Sequence, residues 1–272
     1  MKAGVHPSAA VAPGARLGEG VVVGPYCVVG ENVVLGDGVH LVSHVAVDGH
    51  TSVGRDTKIY PFASLGQGPQ HLKYAGEPTR LEIGEGNVIR EHVTMNTGTV
   101  PGGGVTRVGD RNFFMVNTHV AHDCAVGNQV VMANNAVLGG HVSVGDFVVF
   151  GGNCAVHQFV RIGRYAMITG VCGVAEDVIP YGNAYPFFNN RASLAGLNLI
   201  GLKRRGFSRD QIQTLRTAYR LLFAEEGSLT ERTDDAAEMY RDHEAVMEIV
   251  SFIRARANRS ICLPTTGRYA AA

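Results

Sequence analysis

The sequence has no tryptophan among its 272 residues and no net charge, because 24 Lys and Arg balance 24 Asp and Glu. A balanced charge excludes a strong global field that would draw nucleic acid or a membrane surface as partner. Apolar runs of membrane-spanning length are absent, and the opening residues MKAGVHPSAA lack the apolar stretch of a secretory signal. The expectation is a cytoplasmic protein without membrane insertion.

Cysteine is also scarce, and no pair has the C-x-x-C spacing of metal or redox sites. The five, an odd number, are Cys27, Cys124, Cys154, Cys172 and Cys262. Four of them fall at the same small position of the repeat described next. Packed thiols are therefore favoured over disulfides or metal ligands.

Glycine, in contrast, is abundant at 35 residues, and it belongs to a repeat of six. A large apolar residue, mostly aliphatic, returns at every sixth position over three stretches, 5–65, 83–95 and 108–174. Four places after nearly every one of them stands a small or β-branched residue, with Asn87 and Asn112 as the exceptions. A fixed short period of this kind is the signature of a solenoid.

Three six-residue edges make a triangular coil of 18 residues, with the aliphatic side chains inside and Gly or Asn in the turns. Successive coils then stack as parallel strands about 4.8 Å apart. The sequence predicts a mainly β protein, a parallel β-helix over residues 1–185. The period alone does not set its handedness, although crossover connections are normally right-handed.

Two segments break the period and are predicted to project as loops, near 66–82 and 100–107. Because the solenoid edges are rigid, such loops are where binding residues collect.

Past Pro180 the period of six stops, and residues 186–272 are predicted to form an α-helical C-terminal domain. One helix begins at a possible capping box and has a single apolar face. The box is Ser208 with Gln211, and the face is Ile212, Leu215, Tyr219 and Leu222. Residues 234–257 have the pattern of a further amphipathic helix. This region also covers the open end of the solenoid, which otherwise invites edge pairing.

Histidines cluster when the repeat is stacked, because residues 18 apart lie in register on adjacent coils between 108 and 179. One predicted column is His122, Gly140 and Gln158; the other is Asp123, His141 and Phe159, with His157 beside Gln158 and His119 three residues before His122. Four histidines, one carboxylate, a glutamine and a bare glycine backbone thus gather within about three coils.

This cluster has the parts for acyl transfer to a hydroxyl without a covalent enzyme intermediate. A neutral imidazole is the usual general base near pH 7, and a glycine N–H one coil away is a natural oxyanion donor. Asp123 and His141 can orient one another or the substrate. No nucleophile stands in the cluster, since Cys124 belongs to the inward set.

Two other classes stay open on the residues alone. Clustered histidines also fit a zinc-dependent enzyme such as the carbonic anhydrases built on hexapeptide solenoids. A purely structural solenoid is the third class, but the irregular His, Asp and Asn faces and the two loops argue against it. His119, at the end of its six-residue window, fits a turn role as well as a substrate contact.

Five segments closely resemble the UDP-N-acetylglucosamine acyltransferases that begin lipid A synthesis. They are VNTHVAHDCAVGN, ANNAVLGGHVSV, AVHQF, LKYAGEPTR and GLNLIGLKRRGFSR. The resemblance implies a left-handed β-helix and a homotrimer with active sites between subunits. It implies transfer of an (R)-3-hydroxyacyl chain from acyl carrier protein to the glucosamine 3-position of the nucleotide sugar, with no cofactor and no metal.

The same resemblance implies roles for single residues. His122 matches the general base, Asp123 follows it, and Gly140 matches the donor to the thioester oxyanion. The positions that match substrate contacts are His141, His157 and Gln158; those that match nucleotide-sugar contacts are Lys73, Asn198, Arg204 and Arg205. Gly170 matches a position in the acyl groove, where a bulky residue would shorten the chain accepted.

Three places depart from the best-known members of that family. His71 stands where an acidic residue is often found, 96–99 reads NTGT instead of His-Arg-Gly-Thr, and PFFNNRASLAG before Leu197 differs. Because His71 lies where the sugar is read, the acceptor is either the 3-hydroxyl or the 3-amine of an analogue. Acyl carrier protein is acidic, so the candidates to dock it are Arg209, Arg216 and Arg220.

Overall fold

A computed structural model describes residues 4–255 and 257–265. Within those ranges the chain forms short strands first and helices last. The strands are β1 Gly4–Val5, β2 Ala10–Val11, β3 Arg16–Leu17, β4 Val22–Val23, β5 Val28–Val29, β6 Val34–Leu35, β7 His40–Leu41, β8 Ala46–Val47, β9 His50–Val53, β10 Lys58–Ile59, β11 Ser64–Gln67, β12 Arg80–Ile83, β13 Val88–Ile89, β14 Thr94–Asn96, β15 Val105–Val108, β16 Phe113–Phe114, β17 His119–Val120, β18 Ala125–Val126, β19 Val131–Met132, β20 Val137–Leu138, β21 Ser143–Val144, β22 Val149–Phe150, β23 Ala155–Val156, β24 Arg161–Ile162, β25 Met167–Ile168, β26 Gly173–Val174, β27 Gly182–Pro186 and β28 Ala192–Leu197. The helices are α1 Leu199–Arg204, α2 Arg209–Leu222, α3 Leu229–Met239 and α4 Glu244–Arg254.

Every third strand belongs to the same sheet, so three parallel sheets run along the molecule. Sheet A begins with β1, β4 and β7, sheet B with β2, β5 and β8, and sheet C with β3, β6 and β9. The pairing of Ala125 with Ser143 and of Val131 with Val149 shows the expected shift of 18 residues. The parallel β-helix predicted from the period of six is confirmed, and its winding is left-handed.

The periodic residues fill the inside of the triangle. The apolar residue is the second residue of nearly every two-residue strand, and Phe114, Phe150 and Leu138 are among the largest buried side chains. All five cysteines are buried and free, including the four at the small repeat position that were predicted to be packed thiols. The prediction that the aliphatic and small positions form the core is therefore confirmed.

The two polar exceptions are buried as well, and they bond the backbone of neighbouring coils. Asn87 donates to the carbonyls of Gly84 and Gly109 at 2.8 and 2.9 Å and accepts from the Asn112 N–H at 2.9 Å. Asn112 in turn accepts from the Val130 N–H at 2.7 Å. These buried amides link coils by hydrogen bonds where other coils use apolar contact.

The corners of the triangle are named by the sheets they join. The AB corner follows each sheet A strand, the BC corner follows each sheet B strand, and the CA corner follows each sheet C strand. Many corner residues have positive φ, such as His141 at 62° and Phe147 at 62°. Both interruptions leave the solenoid at the BC corner, the first between β11 and β12 and the second between β14 and β15.

Strand pairing continues into the base of the first excursion, which is shorter than predicted, whereas the second has its predicted length and begins three residues earlier. The first spans 68–79 and the second 97–104, which includes the 3-10 turn Val100–Gly102. The Thr79 hydroxyl lies 2.9 Å from that of Thr97, so the two loops are joined where they leave the solenoid. The first excursion lies inside the predicted 66–82, and the second overlaps the predicted 100–107.

The C-terminal region begins with strands before it becomes helical. β27 and β28 pair antiparallel and extend sheet A to Leu197. The boundary at 185 stays a prediction, because this β structure continues past it. The predicted capping box of α2 is confirmed, since Gln211 N–H donates to the Ser208 hydroxyl at 3.1 Å and Ser208 N–H to the Gln211 side chain at 2.8 Å.

The single helix predicted over 234–257 is wrong. The chain turns after Met239, and α4 begins at an N-cap made by His243, whose Nδ1 accepts from the Val246 N–H at 3.3 Å. The turn allows Ala236 of α3 and Val250 of α4 to join the same core, which one straight helix would prevent. In the described ranges no helix combines the length and the apolar character that crossing a membrane requires.

Candidate active site

The BC corner gathers the two loops and most of the predicted site. Both loops leave the solenoid there, and the predicted columns run along the same edge. The His141 N–H donates to the His122 carbonyl and the Phe159 N–H to the Gly140 carbonyl, each at 3.0 Å. The columns derived from the 18-residue spacing are thereby confirmed.

His122 and Asp123 form a hydrogen-bonded pair at this corner. His122 Nδ1 lies 2.8 Å from Asp123 Oδ2, and the two side chains are 8% and 1% exposed. An ionised carboxylate only accepts hydrogen bonds, so Nδ1 must carry the proton. The lone pair of the neutral ring is then on Nε2, where a general base needs it.

The Asp123 carboxylate is held by the second loop. The Thr99 N–H donates to Oδ1 at 2.7 Å, and the Thr99 hydroxyl donates to Oδ2 at 2.6 Å. Burial alone would raise the pKa of Asp123, but the bonds from Thr99 and His122 outweigh it and hold the pKa below its usual value. Asp123 is therefore a fixed anion. Sequence reasoning missed Thr99, because nothing in NTGT indicates that the loop folds back onto the next coil.

Gly140 lies against the His122 imidazole. A Cβ on Gly140 would lie 2.5 Å from His122 Cε1 and 2.7 Å from Nε2. The N–H of Gly140 donates to no group in the described part of the chain. The Gly140 backbone, whose N–H is free, therefore lies directly beside His122 Nε2, and acyl transfer needs a base and an oxyanion donor close together.

Two further imidazoles surround His122. The His141 ring meets it edge-on at a centroid distance of 5.2 Å and stacks on Phe159 at 4.4 Å. His71 approaches from the first loop, also edge-on, at 5.5 Å. Burial lowers the pKa of His141, while Asp123 opposes this shift. The structure thus places His71 and His141 within reach of whatever His122 acts on.

His119 lies on the outer side of sheet B, one strand before the pair. Its Nδ1 is 2.7 Å from the Thr94 hydroxyl. Burial, and next the charge of His122, lower the pKa of His119. The ring is therefore neutral at pH 7, and it is part of a strand and not of a turn.

His157 and Gln158 lie at the same corner, one coil beyond Gly140. A residue absent from the sequence predictions contacts both: the Arg259 side chain donates to the Gln158 carbonyl at 3.0 Å and lies 2.6 Å from His157 Nδ1. About a hundred residues separate the partners. No local pattern signals such a contact.

Asn96, one of the departures from the family pattern, fixes the first loop by hydrogen bonds. The Asn96 side chain donates to the Gly68 carbonyl at 2.8 Å and, more weakly, to that of Gln67 at 3.3 Å. Lys73 lies in the same loop as His71, is exposed and forms no ion pair with any described residue. Asn96 therefore fixes the base of the loop that carries His71 and Lys73.

The remaining predicted residues lie at other corners. The Asn198 side chain caps α1 and donates to the Tyr165 carbonyl at 2.9 Å, and the Arg205 guanidinium covers the Phe147 ring at 4.4 Å, both at the CA corner. Arg204 is exposed at the end of α1. Gly170 is at the AB corner, where a Cβ would lie 3.2 Å from the Gly152 carbonyl. A single chain does not bring these residues to His122.

The cluster also presents potential metal ligands. His122, Asp123 and His141 each offer one ligand atom, and these atoms lie within 4.8 Å of one another. Both Asp123 oxygens already accept hydrogen bonds from Thr99. Cys124 adds no ligand or nucleophile here, because burial raises the pKa of its thiol to about 12.

Comparison with known proteins identifies relatives of the whole chain. Residues 177–262 match the family model of UDP-N-acetylglucosamine O-acyltransferase, domain 2, and residues 14–49 match that of bacterial transferase hexapeptide repeats. The acyl-[acyl-carrier-protein]–UDP-N-acetylglucosamine O-acyltransferase of Caulobacter vibrioides is 58% identical over 213 residues, which are 78% of this chain and 80% of that protein.

Solved structures agree with this. The UDP-N-acetylglucosamine acyltransferase of Francisella novicida superposes with a TM-score of 0.93 at 32% identity over 99% of both chains. The O-acyltransferase of Moraxella catarrhalis does so with a TM-score of 0.91 at 40% identity, over 95% of this chain and 99% of that one. The alternative of a zinc-dependent carbonic-anhydrase-like enzyme is not favoured. The chain belongs to the family of UDP-N-acetylglucosamine O-acyltransferases.

Proposed function

We propose that this acyltransferase uses His122 as the general base when it moves an (R)-3-hydroxyacyl chain from acyl carrier protein to the glucosamine 3-position of UDP-N-acetylglucosamine, the first step of lipid A synthesis. The observation that carries the proposal is the buried His122–Asp123 pair, whose imidazole borders the free N–H of Gly140. Base and oxyanion donor are the two groups that a direct transfer needs.

The reaction follows from these positions. His122 Nε2 takes the proton of the acceptor hydroxyl as its oxygen attacks the thioester carbonyl carbon. The resulting oxyanion accepts a hydrogen bond from the Gly140 N–H. Collapse breaks the carbon–sulfur bond, and the leaving thiolate receives the proton from the His122 imidazolium. Asp123 stays ionised and stabilises that imidazolium, so the ester and the free carrier thiol are the products.

A homotrimer accounts for the distribution of the remaining residues. The residues expected to contact the nucleotide sugar lie at the CA corner or on the helix beside it; they are Asn198, Arg204 and Arg205. His122, in contrast, lies at the BC corner. Three triangular prisms that meet along their AB edges leave a wedge between sheet A of one subunit and sheet B of the next. The CA corner of one and the BC corner of its neighbour then border the same wedge.

The surfaces of that wedge suit an acyl chain. The outward residues of sheet A are apolar over five consecutive coils: Val88, Phe113, Val131, Val149 and Met167. Gly170 lies at the AB edge, where the subunits of the proposed trimer meet and the wedge is closed. An acyl chain that enters beside His122 would run along apolar surface toward Gly170, which makes Gly170 a position that limits chain length.

Helix α2 of this chain carries a candidate surface for docking acyl carrier protein, the acyl donor. Arg209, Arg216 and Arg220 project within about 40° of one another on a helix of 3.6 residues per turn. All three are exposed, and none is ion-paired with a described residue. An unpaired basic stripe attracts an acidic partner. The cytoplasmic location expected from the sequence belongs to the same proposal.

An assay of acyl transfer tests the function and the acceptor together. Purified protein is offered (R)-3-hydroxyacyl carrier proteins of several chain lengths, with the 3-hydroxy and 3-amino nucleotide sugars side by side. Acylation of either sugar supports the proposal, and the preferred one identifies the acceptor atom. A folded oligomer that acylates neither sugar with any donor would contradict it.

A further inference from the structure

The C-terminal segment 257–265 lies across the last coils of the solenoid. The Asp177 N–H donates to the Ser260 carbonyl and the Cys262 N–H to the Asp177 carbonyl, each at 2.8 Å. The Leu194 N–H donates to the Leu263 carbonyl at 3.1 Å. This pairing fixes the backbone that directly follows Arg259 relative to the solenoid.

Arg259 reaches from this segment to the BC corner. Its Nε donates to the Gln158 carbonyl at 3.0 Å, and its Nη2 lies 2.6 Å from His157 Nδ1. Both acceptors are neutral. No carboxylate among the described residues forms an ion pair with Arg259, whereas nearby Asp177 is paired with Arg161 at 2.6 Å. Asp177 feels the charge of Arg259, but no carboxylate in the described part of the chain contacts that guanidinium directly.

The contact fixes the tautomer of His157. A guanidinium only donates, so Nδ1 must hold a lone pair and the proton of the neutral ring is on Nε2. The 3.4 Å contact between Nδ1 and the Gln158 carbonyl would need the opposite tautomer. The Arg259 bond is much shorter, and the Gln158 carbonyl already accepts from Arg259, so the Nε2–H tautomer is the one favoured.

We infer that Arg259 is a positioning residue, which holds His157 with its Nε2–H as a donor to a phosphate oxygen of a substrate. The inference rests on the proposed function. A cation whose direct hydrogen-bond partners are both neutral, beside an oriented donor, suits an anion. His157 lies about two coils, or ~10 Å, from His122 along the solenoid axis. At that distance it suits a substrate group that is remote from the reacting atoms.

Two substrate groups supply this chemistry. One is the diphosphate of the nucleotide sugar, and the other is the phosphodiester of the phosphopantetheine arm that carries the acyl chain. Steady-state kinetics with each substrate varied in turn distinguishes the two groups. Only the substrate whose phosphate contacts His157 should have a KM that depends on Arg259 and His157.

The test compares Arg259→Met, His157→Ala and the double variant with wild type. For Arg259→Met we expect the KM of one substrate to rise about tenfold, with kcat changed less than about threefold, as for lost binding of a remote group. His157→Ala should raise the same KM, and the double variant should be no worse than His157→Ala. Arg254→Met is the matched control, because the one ion pair of Arg254 within the described ranges is with Asp234, at 2.5 Å, outside the site.

A spectroscopic measurement separates positioning from mere folding. Nitrogen-15 NMR of the histidine rings should show His157 as the Nε2–H tautomer in wild type and as a mixture of tautomers in Arg259→Met, with equal melting temperatures. Unchanged tautomers together with an unchanged KM would overturn the inference, and so would additive effects in the double variant. A wild type that transfers no acyl group contradicts the proposed function instead, and the NMR result is independent of that outcome.

Discussion

Gly140 and His122, on adjacent coils, are so close that a single methyl group does not fit between them. A Cβ on Gly140 would lie 2.5 Å from His122 Cε1 and 3.1 Å from Nδ1. The absence of a side chain is therefore what allows the imidazole to stand beside a free backbone N–H. The proposed base, His122, and the proposed oxyanion donor, Gly140, depend on each other through this contact.

Gly140→Ala should disable the chemical step. The methyl group must displace the imidazole, so we expect kcat to fall on the order of 10²-fold, comparable to the loss of one oxyanion donor. Gly173→Ala is the matched control, because its Cβ would meet only the Asn190 carbonyl at an ordinary 3.4 Å. Near-normal kcat in Gly140→Ala, with the fold retained, would refute the geometry.

Thr99→Val tests whether the second loop positions the Asp123 carboxylate for the proposed reaction. The change keeps the shape of the side chain and removes the hydroxyl that donates to Asp123 Oδ2 at 2.6 Å. We expect kcat to fall about tenfold, the equivalent of one hydrogen bond to a charged group. Thr118→Val is the control, since its buried hydroxyl has no partner in the described part of the chain. Equal effects in both variants would mean that Asp123 does not depend on the loop.

Half-buried His119 should make stability depend on pH. Burial, and next the charge of His122, lower the pKa of His119 in the folded protein, so the unfolded chain binds the proton first, near pH 6.5. Stability is then fully present above about pH 6.5 and is lost as pH falls toward the folded pKa. Melting temperatures between pH 7.5 and 5 should fall less steeply in His119→Asn than in wild type. Parallel curves would show that His119 does not contribute.

His71→Asp should change the preference between acceptors. The His71 ring is 5.5 Å from that of His122, where the attacking group must approach. A carboxylate at that point attracts an ammonium group, whereas an imidazole does not. We expect the ratio of kcat/KM for the 3-amino sugar to that for the 3-hydroxy sugar to rise several-fold in His71→Asp. An unchanged ratio would show that His71 does not select the acceptor.

The sequence was enough to predict the solenoid because its period acts at every coil. An apolar residue at each sixth position has one way to be buried, and the 18-residue coil then places His122 against Gly140 and Asp123 against His141. The helices were less predictable. The amphipathic pattern over 234–257 continues across the turn and therefore does not reveal it. The turn is set by the packing of Ala236 and Val250 against one core and by the His243 cap.

The contacts that complete the site lie outside any periodic pattern. Thr99 meets Asp123 because a loop folds back over the following coil, and Arg259 meets His157 because the C-terminal segment returns along the solenoid. The fold-back of the loop and the path of the C-terminal segment depend on tertiary packing, which the spacing of residues in the repeat does not encode. The separation of Asn198 and Arg205 from His122 likewise becomes visible only when the corners are assigned.

His122→Ala, measured at saturating donor and acceptor, tests the central claim most directly. General-base catalysis predicts that kcat falls on the order of 10²–10⁴-fold while the β-sheet circular dichroism and the oligomeric state are unchanged. Near-normal turnover by that folded variant would contradict the role of His122 and, with it, the mechanism proposed for this corner of the solenoid.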